Sequence, residues 1–220
     1  MATINVNRQG RIVGLANTNF STARTSDSGA ATDGVNGDLT VQYFIGRGKK
    51  RFTRVFLHFD TSGITDTLSA AHLDVTGGGT SPDPNDTITI KSTAFGGDGG
   101  TALATSDMYS SLDYSTAYSS ELTTWSASGN NEYTLSAAAL ADIKNNDHFT
   151  LAIIDHDNDY ANTDTATVSD VTIDFDTTIT LDYTVAASGY THDVNSVAAA
   201  SIGKVNSVAT ASIGKINSVD

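Results

Sequence analysis

The chain reads as an all-β protein: a jelly-roll-like β-sandwich with one short helix, followed by a C-terminal tail of 11-residue repeats. Three observations predict this. Strand-like runs recur between clusters of Gly, Asp and Asn. Polarity is carried by Thr, Ser, Asn and Gly, while charged residues make up only 17% of the 220, a balance that suits pleated surfaces joined by many turns. Near the C-terminus one 11-residue unit repeats with a single change.

The runs follow in order. Ala2–Val6 alternates apolar and polar residues. Leu39–Ile45 (LTVQYFI) follows the turn formers Asp33-Gly34 and Asn36-Gly37, and Phe52–Asp60 (FTRVFLHFD) is the most apolar. Leu68–Thr76, Thr87–Lys91, Glu132–Leu135, Phe149–Asp155, Ala166–Phe175 and Ile179–Val185 complete the set. Between them stand Gly77-Gly78-Gly79, Pro82-Asp83-Pro84 and the Gly-rich stretch Gly96–Gly100. Short strands in one block with little helical periodicity predict a sandwich or barrel. One helix is expected over Ala137–Lys144, with Ser136 as its N-cap and Asn145-Asn146 ending it. A chain of this length buries about 70% of its unfolded surface, enough to fold without a cofactor.

Composition excludes several roles. The net charge of −13 argues against wrapping a nucleic acid backbone. The absence of Cys removes disulfide and thiolate chemistry. No run approaches the length needed to span a bilayer, and Met1–Val6 lacks the apolar core of a signal peptide. A protein made in the cytosol is the expectation.

The chain divides near Ala186: residues 1–186 form the sandwich and 187–220 the tail. The tail carries Asp193, Asp220, Lys204 and Lys215, so it is neutral and the whole net charge sits on the body. Val194–Lys204 (VNSVAAASIGK) is followed by Val205–Lys215 (VNSVATASIGK) and a truncated Ile216–Val219. As a helix, 11 residues in three turns would suit a right-handed supercoil, but each copy carries a Gly, which costs about 1 kcal/mol. As a continuous strand, the odd period moves equivalent residues to opposite faces. Either way so few copies cannot shelter their own aliphatic residues. Val194, Val197, Ile202, Val205, Val208, Ile213, Ile216 and Val219 are therefore the expected assembly residues, covered by sister chains or a larger structure. A flexible Ala/Ser-rich linker is the alternative.

Several stretches carry a resemblance. Arg54-Val-Phe-Leu-His-Phe-Asp-Thr-Ser-Gly-Ile64 resembles the signature strand of DNRLRE-type domains, a jelly-roll β-sandwich group related to carbohydrate-binding modules. Thr67–Val75 resembles the next strand of that group, Tyr133–Leu140 its later short helix, and Thr180–Tyr183 its closing strand; His58 stands where the family often carries Arg. The tail resembles repeat tracts at the ends of tailed-phage structural proteins. Together the two resemblances imply a structural virion protein (a capsid decoration or a fibre component), oligomeric and best matched by a trimer. The alternative they imply is a module recognising host-surface glycan.

Candidate sites are few. Asp155, Asp157 and Asp159 place carboxylates two residues apart, a spacing at which oxygen ligands can share a Ca²⁺, although the EF-hand pattern fails at Tyr160 and Ala166. Arg47, Lys49, Lys50, Arg51 and Arg54 concentrate basic charge on an acidic chain and could dock an acidic neighbour. Tyr109, Tyr114, Tyr118 and Trp125 could stack on sugar faces, or cover the core. Asp164, Asp170, Asp174, Asp176 and Asp182 give no sign of the paired separation that glycoside hydrolysis needs. His58, His72, His148, His156 and His192 lack the spacing of an HExxH site, and neither a nucleophile elbow nor a P-loop is present. No enzymatic activity is expected.

Overall fold

The computed structural model describes residues 1–34, 39–80, 86–166, 168–173 and 179–186, together with the backbone of Lys204–Val205 and Val208–Ala209. The chain packs as two units, Met1–Thr184 and Val185–Asp220.

The first unit is the expected all-β sandwich. Its strands are β1 (Ala2–Asn5), β2 (Arg8–Gly14), β3 (Gly29–Asp33), β4 (Leu39–Gly46), β5 (Lys49–Asp60), β6 (Leu68–Thr80), β7 (Thr87–Ser92), β8 (Leu112–Ala117), β9 (Asn130–Thr134), β10 (His148–Asp155), β11 (Ser169–Ile173) and β12 (Thr180–Val185). A single hydrogen-bonded path runs β1-β12-β6-β11-β4-β5-β10-β7-β8, with β9 on β6 and the β2–β3 pair on β5. Two stretches of this path face each other. Val55, Leu57 and Phe59 of β5 and Phe149, Leu151 and Ile153 of β10 pack against Ala71, Leu73 and Val75 of β6, Tyr133 of β9 and Leu181 of β12. β4 and β11 connect the two layers. β4 pairs with β5 through Gln42–Gly46 and with β11 through Leu39–Tyr43, while β11 reaches β6 at Gly77–Thr80. A register shift lies between Thr172 and Ile173, the kind of irregularity that bends a sheet.

β5 is the axis of the fold. It pairs with β10 along Val55–Asp60, with β2 along Thr53–His58 and with β4 along Lys49–Thr53. Strand alternation sends Val55, Leu57 and Phe59 to one face and Phe52, Arg54, Phe56 and His58 to the other. Both faces are covered. On the second, Phe52 and Phe56 join Ile12, Tyr43, Ile88, Ile90, Phe95, Met108, Ala152 and Ile154. A chain buried on two sides needs an unbroken apolar run, which is why FTRVFLHFD is the most apolar stretch of the sequence.

Among the described residues two α-helices pack on the strands, one against β5 and the other against β6 and β10. α2 (Ala137–Asn145) lies where the sequence predicts it: the Ser136 side chain accepts from the Ala139 N–H, and Ala139 and Ile143 are buried. α1 (Phe20–Arg24) is a single short turn that the sequence did not announce. The Asn19 side chain accepts from Thr22 N–H at 2.9 Å, and Ala23 and Arg24 are buried. β2, β3 and β8 are likewise additions to the expected strands.

In the second unit, β13 (Lys204–Val205) and β14 (Val208–Ala209) pair antiparallel, with Lys204 opposite Ala209 and Val205 opposite Val208. The described strands of the repeat are thus two short antiparallel partners, and the difficulty raised by an odd period applies only to a continuous strand. Of the expected assembly residues, Val205 and Val208 stand in this strand pair. Val194, Val197, Ile202, Ile213, Ile216 and Val219 lie outside the described residues.

The β4–β5 hairpin turns on Arg47 (φ 52°) and Gly48 (φ 72°), the two left-handed positions of a type I′ turn. Arg47 therefore holds a conformation that favours Gly or Asn. We expect Arg47→Gly to be neutral or stabilising by up to about 1 kcal/mol, and Gly48→Ala to destabilise by about 1 kcal/mol, both measured by urea denaturation.

Candidate functional site

Among the described residues, the most densely connected polar group is buried on the second face of β5. Arg54 is 0% exposed, so its guanidinium must find partners inside the protein. Asp159 supplies them: Arg54 Nε lies 2.6 Å from Oδ2 and Nη2 lies 2.8 Å from Oδ1, the two-pronged geometry in which Arg is bound best. Arg54 also donates to the carbonyls of Arg24 and Met108. Asp159 Oδ1 accepts from the Tyr114 hydroxyl at 2.7 Å, and its own carbonyl accepts from Arg24 Nε at 2.6 Å. The Arg24 guanidinium covers the Tyr114 ring at 4.2 Å. Burial works against the Arg54 charge, but Asp159 outweighs it and holds the pKa above the ordinary value. Burial and the Asp159 charge drive the Tyr114 hydroxyl upward.

This corrects two sequence expectations. Arg54 is not a docking residue, because the pleat turns it inward. Nor are Asp155, Asp157 and Asp159 brought together as one ligand set. After Asp155 the chain leaves the strand and enters a wide helical turn, His156–Tyr160, so alternate carboxylates no longer face one way. Buried Asp155 caps that turn, accepting from Asn158 N–H at 2.6 Å and Asp159 N–H at 3.2 Å, and burial pushes its carboxyl up. Asp159 neutralises Arg54, and exposed Asp157 faces His156.

The other basic residues of the cluster are dispersed in use. Lys50 pairs with Asp164. Arg51 donates to Gln42 at 2.8 Å and lies over the Phe44 ring. Arg47 and Lys49 are exposed at the hairpin tip. The aromatic group is mostly internal. Tyr118 is buried, with its ring against Phe149 and its hydroxyl donating to Asp142. Tyr114 serves the Arg54 network, Tyr109 lies tilted against the Tyr114 ring with centroids 5.6 Å apart, and Trp125 packs partly buried against the first core. Burial opposes the Asp142 carboxylate, but hydrogen bonds from Lys91 and Tyr118 hold its pKa low.

Two features had no sequence signal. One is a group of donors in which Asp86 joins His156 and Asp157, contributed by segments distant in sequence. The other is a pair of imidazoles, His58 and His148, with ring centroids 5.3 Å apart. His58 is bonded to Asn7, while its Nε2 and His148 Nδ1 are buried without a hydrogen-bond partner. The Gly-rich stretch sits on them: a Cβ at Gly99 would fall 2.6 Å from the His58 ring. Arg8 holds that loop through the carbonyls of Gly99 and Thr101.

Comparison with known proteins finds no family model that matches the chain and no curated protein with significant similarity to it. Among the described residues, no helix is long and apolar enough to cross a membrane.

Two predictions follow from these buried groups. Removing one partner of a buried pair strands the other charge, at a cost of about 3–5 kcal/mol. Asp159→Ala and Arg54→Met should each lose stability of that order, and the double variant should lose less than their sum, as read from denaturant midpoints. The second concerns pH. Burial, His148 and Arg8 lower the His58 pKa below its ordinary 6.5, outweighing Asp60 and Asp98. The unfolded chain therefore takes up this proton first as pH falls through 6.5, and the folded state loses stability until its own lower pKa is passed. His58→Gln should flatten that acid-side loss in a series of urea melts across the window.

Proposed function

We propose that this chain is a non-enzymatic structural protein of a tailed-phage virion. In this reading the β-sandwich is displayed outward and the repeat tail joins it to copies of itself and to other virion proteins. The observation that carries the proposal is the repeat: aliphatic residues are kept in phase through Val194–Val219 in a stretch too short to bury them. Two structural facts support it. Both cores formed by the described residues lie within Met1–Thr184. The described strands of the tail form a two-stranded sheet of their own, and an isolated pair of strands is marginal in water until further strands or a packing surface cover it. Strands of sister chains meet that need, and three-fold packing is the arrangement proposed.

Partial exposure of Tyr109 and Trp125 favours a second reading, in which the body also recognises a host-surface glycan by stacking. Specific binding on a glycan array would support it.

Light scattering tests the assembly reading. Full-length protein should show a mass near three times 22.9 kDa, whereas a chain ending at Ala186 should be monomeric with an unchanged melting temperature. A monomeric full-length protein that still enters particles normally would overturn the proposal.

A further inference from the structure

We propose that Asp86, Glu121, His156 and Asp157 form a binding site for one divalent transition-metal ion of the zinc class. Backbone pairing brings the four residues together from three segments. In the β7–β10 ladder Asp155 stands opposite Thr87, so Asp86 and His156 are the next opposed pair, and the His156 N–H donates to the Asp86 carbonyl at 2.8 Å. On the other edge of β7, Leu122 bridges Thr87, which brings Glu121 to the same sheet end. Sites held at strand ends are positioned more firmly than sites on loops.

The donor set is mixed. Asp86, His156 and Asp157 each offer a ligand atom, all within 4.8 Å of one another. His156 Nδ1 also lies 2.8 Å from Glu121 Oε2 and 3.1 Å from Asp157 Oδ1. The ring nitrogen thus sits between two carboxylates, where a metal ion can replace a proton. Stacking on Tyr160, with centroids 5.7 Å apart and planes at 26°, fixes the imidazole. The ion pairs of Glu121 and Asp157 run to His156.

The imidazole selects the metal class. Ca²⁺ and Mg²⁺ take oxygen ligands, whereas Zn²⁺ takes nitrogen and carboxylate together with four ligands in all. Bound there, the ion would tie β7, β10 and the Glu121–Leu122 segment together and brace the turn that carries Asp159 to Arg54.

Calorimetric titration of full-length protein with ZnCl₂, MnCl₂ and CaCl₂, paired with thermal melts, tests this. One Zn²⁺ should bind per chain and raise the melting temperature by several degrees. Asp86→Asn and His156→Gln should each weaken Zn²⁺ at least tenfold. His72→Gln, which removes the separate His72–Glu132 pair, should leave it unchanged. Zn²⁺ affinity unaltered in both site variants, no Zn²⁺ binding below millimolar concentration, or tighter Ca²⁺ binding indifferent to His156→Gln would overturn the assignment.

Discussion

The ion pair between Arg54 and Asp159 is the constraint on which the second core depends. A guanidinium cannot be left inside a protein without partners, so the chain that surrounds it is arranged to supply them. The turn after β10 brings Asp159, α1 ends so that the Arg24 carbonyl faces inward, and the Thr105–Met108 segment offers the Met108 carbonyl. Four separate stretches of sequence are thereby brought to one point. A cluster of aliphatic residues could fill the same volume in many ways. A planar cation with directed donors accepts few arrangements, so the pair specifies this packing as well as filling it.

The division of labour between the faces of β5 follows. The first core, between β5–β10 and β6–β9–β12, is aliphatic and aromatic, with the hydroxyls of Tyr118 and Tyr133 bonded to Asp142 and Thr87. The second is organised around polar groups: Arg54 with Asp159 toward one end, and the His58–His148 pair beneath the Gly-rich loop toward the other. Of the five basic residues at positions 47–54, only Arg47 and Lys49 lie exposed at the hairpin tip.

Much of the architecture was legible in the sequence. Apolar runs located the central strands, and Ser136 before AAALADIK located α2, because both signals are local. β2 was not read, since Gly10 and Gly14 interrupt its pattern, and α1 is too short to show a period. The sites were less legible. Basic residues at 47–54 look alike as charges, yet only the pleat decides that Arg54 enters the core. Asp155, Asp157 and Asp159 look like a ligand set until the wide turn separates them. Asp86 and His156 stand 70 positions apart, and only the register of β7 against β10 makes them neighbours.

The two-faced burial of β5 has a consequence for how the sequence can change. A strand with one wet face can slip by one residue and expose what it formerly hid. Here neither side is wet. Inserting or deleting a single residue between Phe52 and Phe59 would drive the guanidinium into the aliphatic layer and Val55 into the polar one, and would offset β2, β4 and β10 at once. Length variation among descendants of this chain should therefore gather in the connecting loops, while the central strand keeps its residue count.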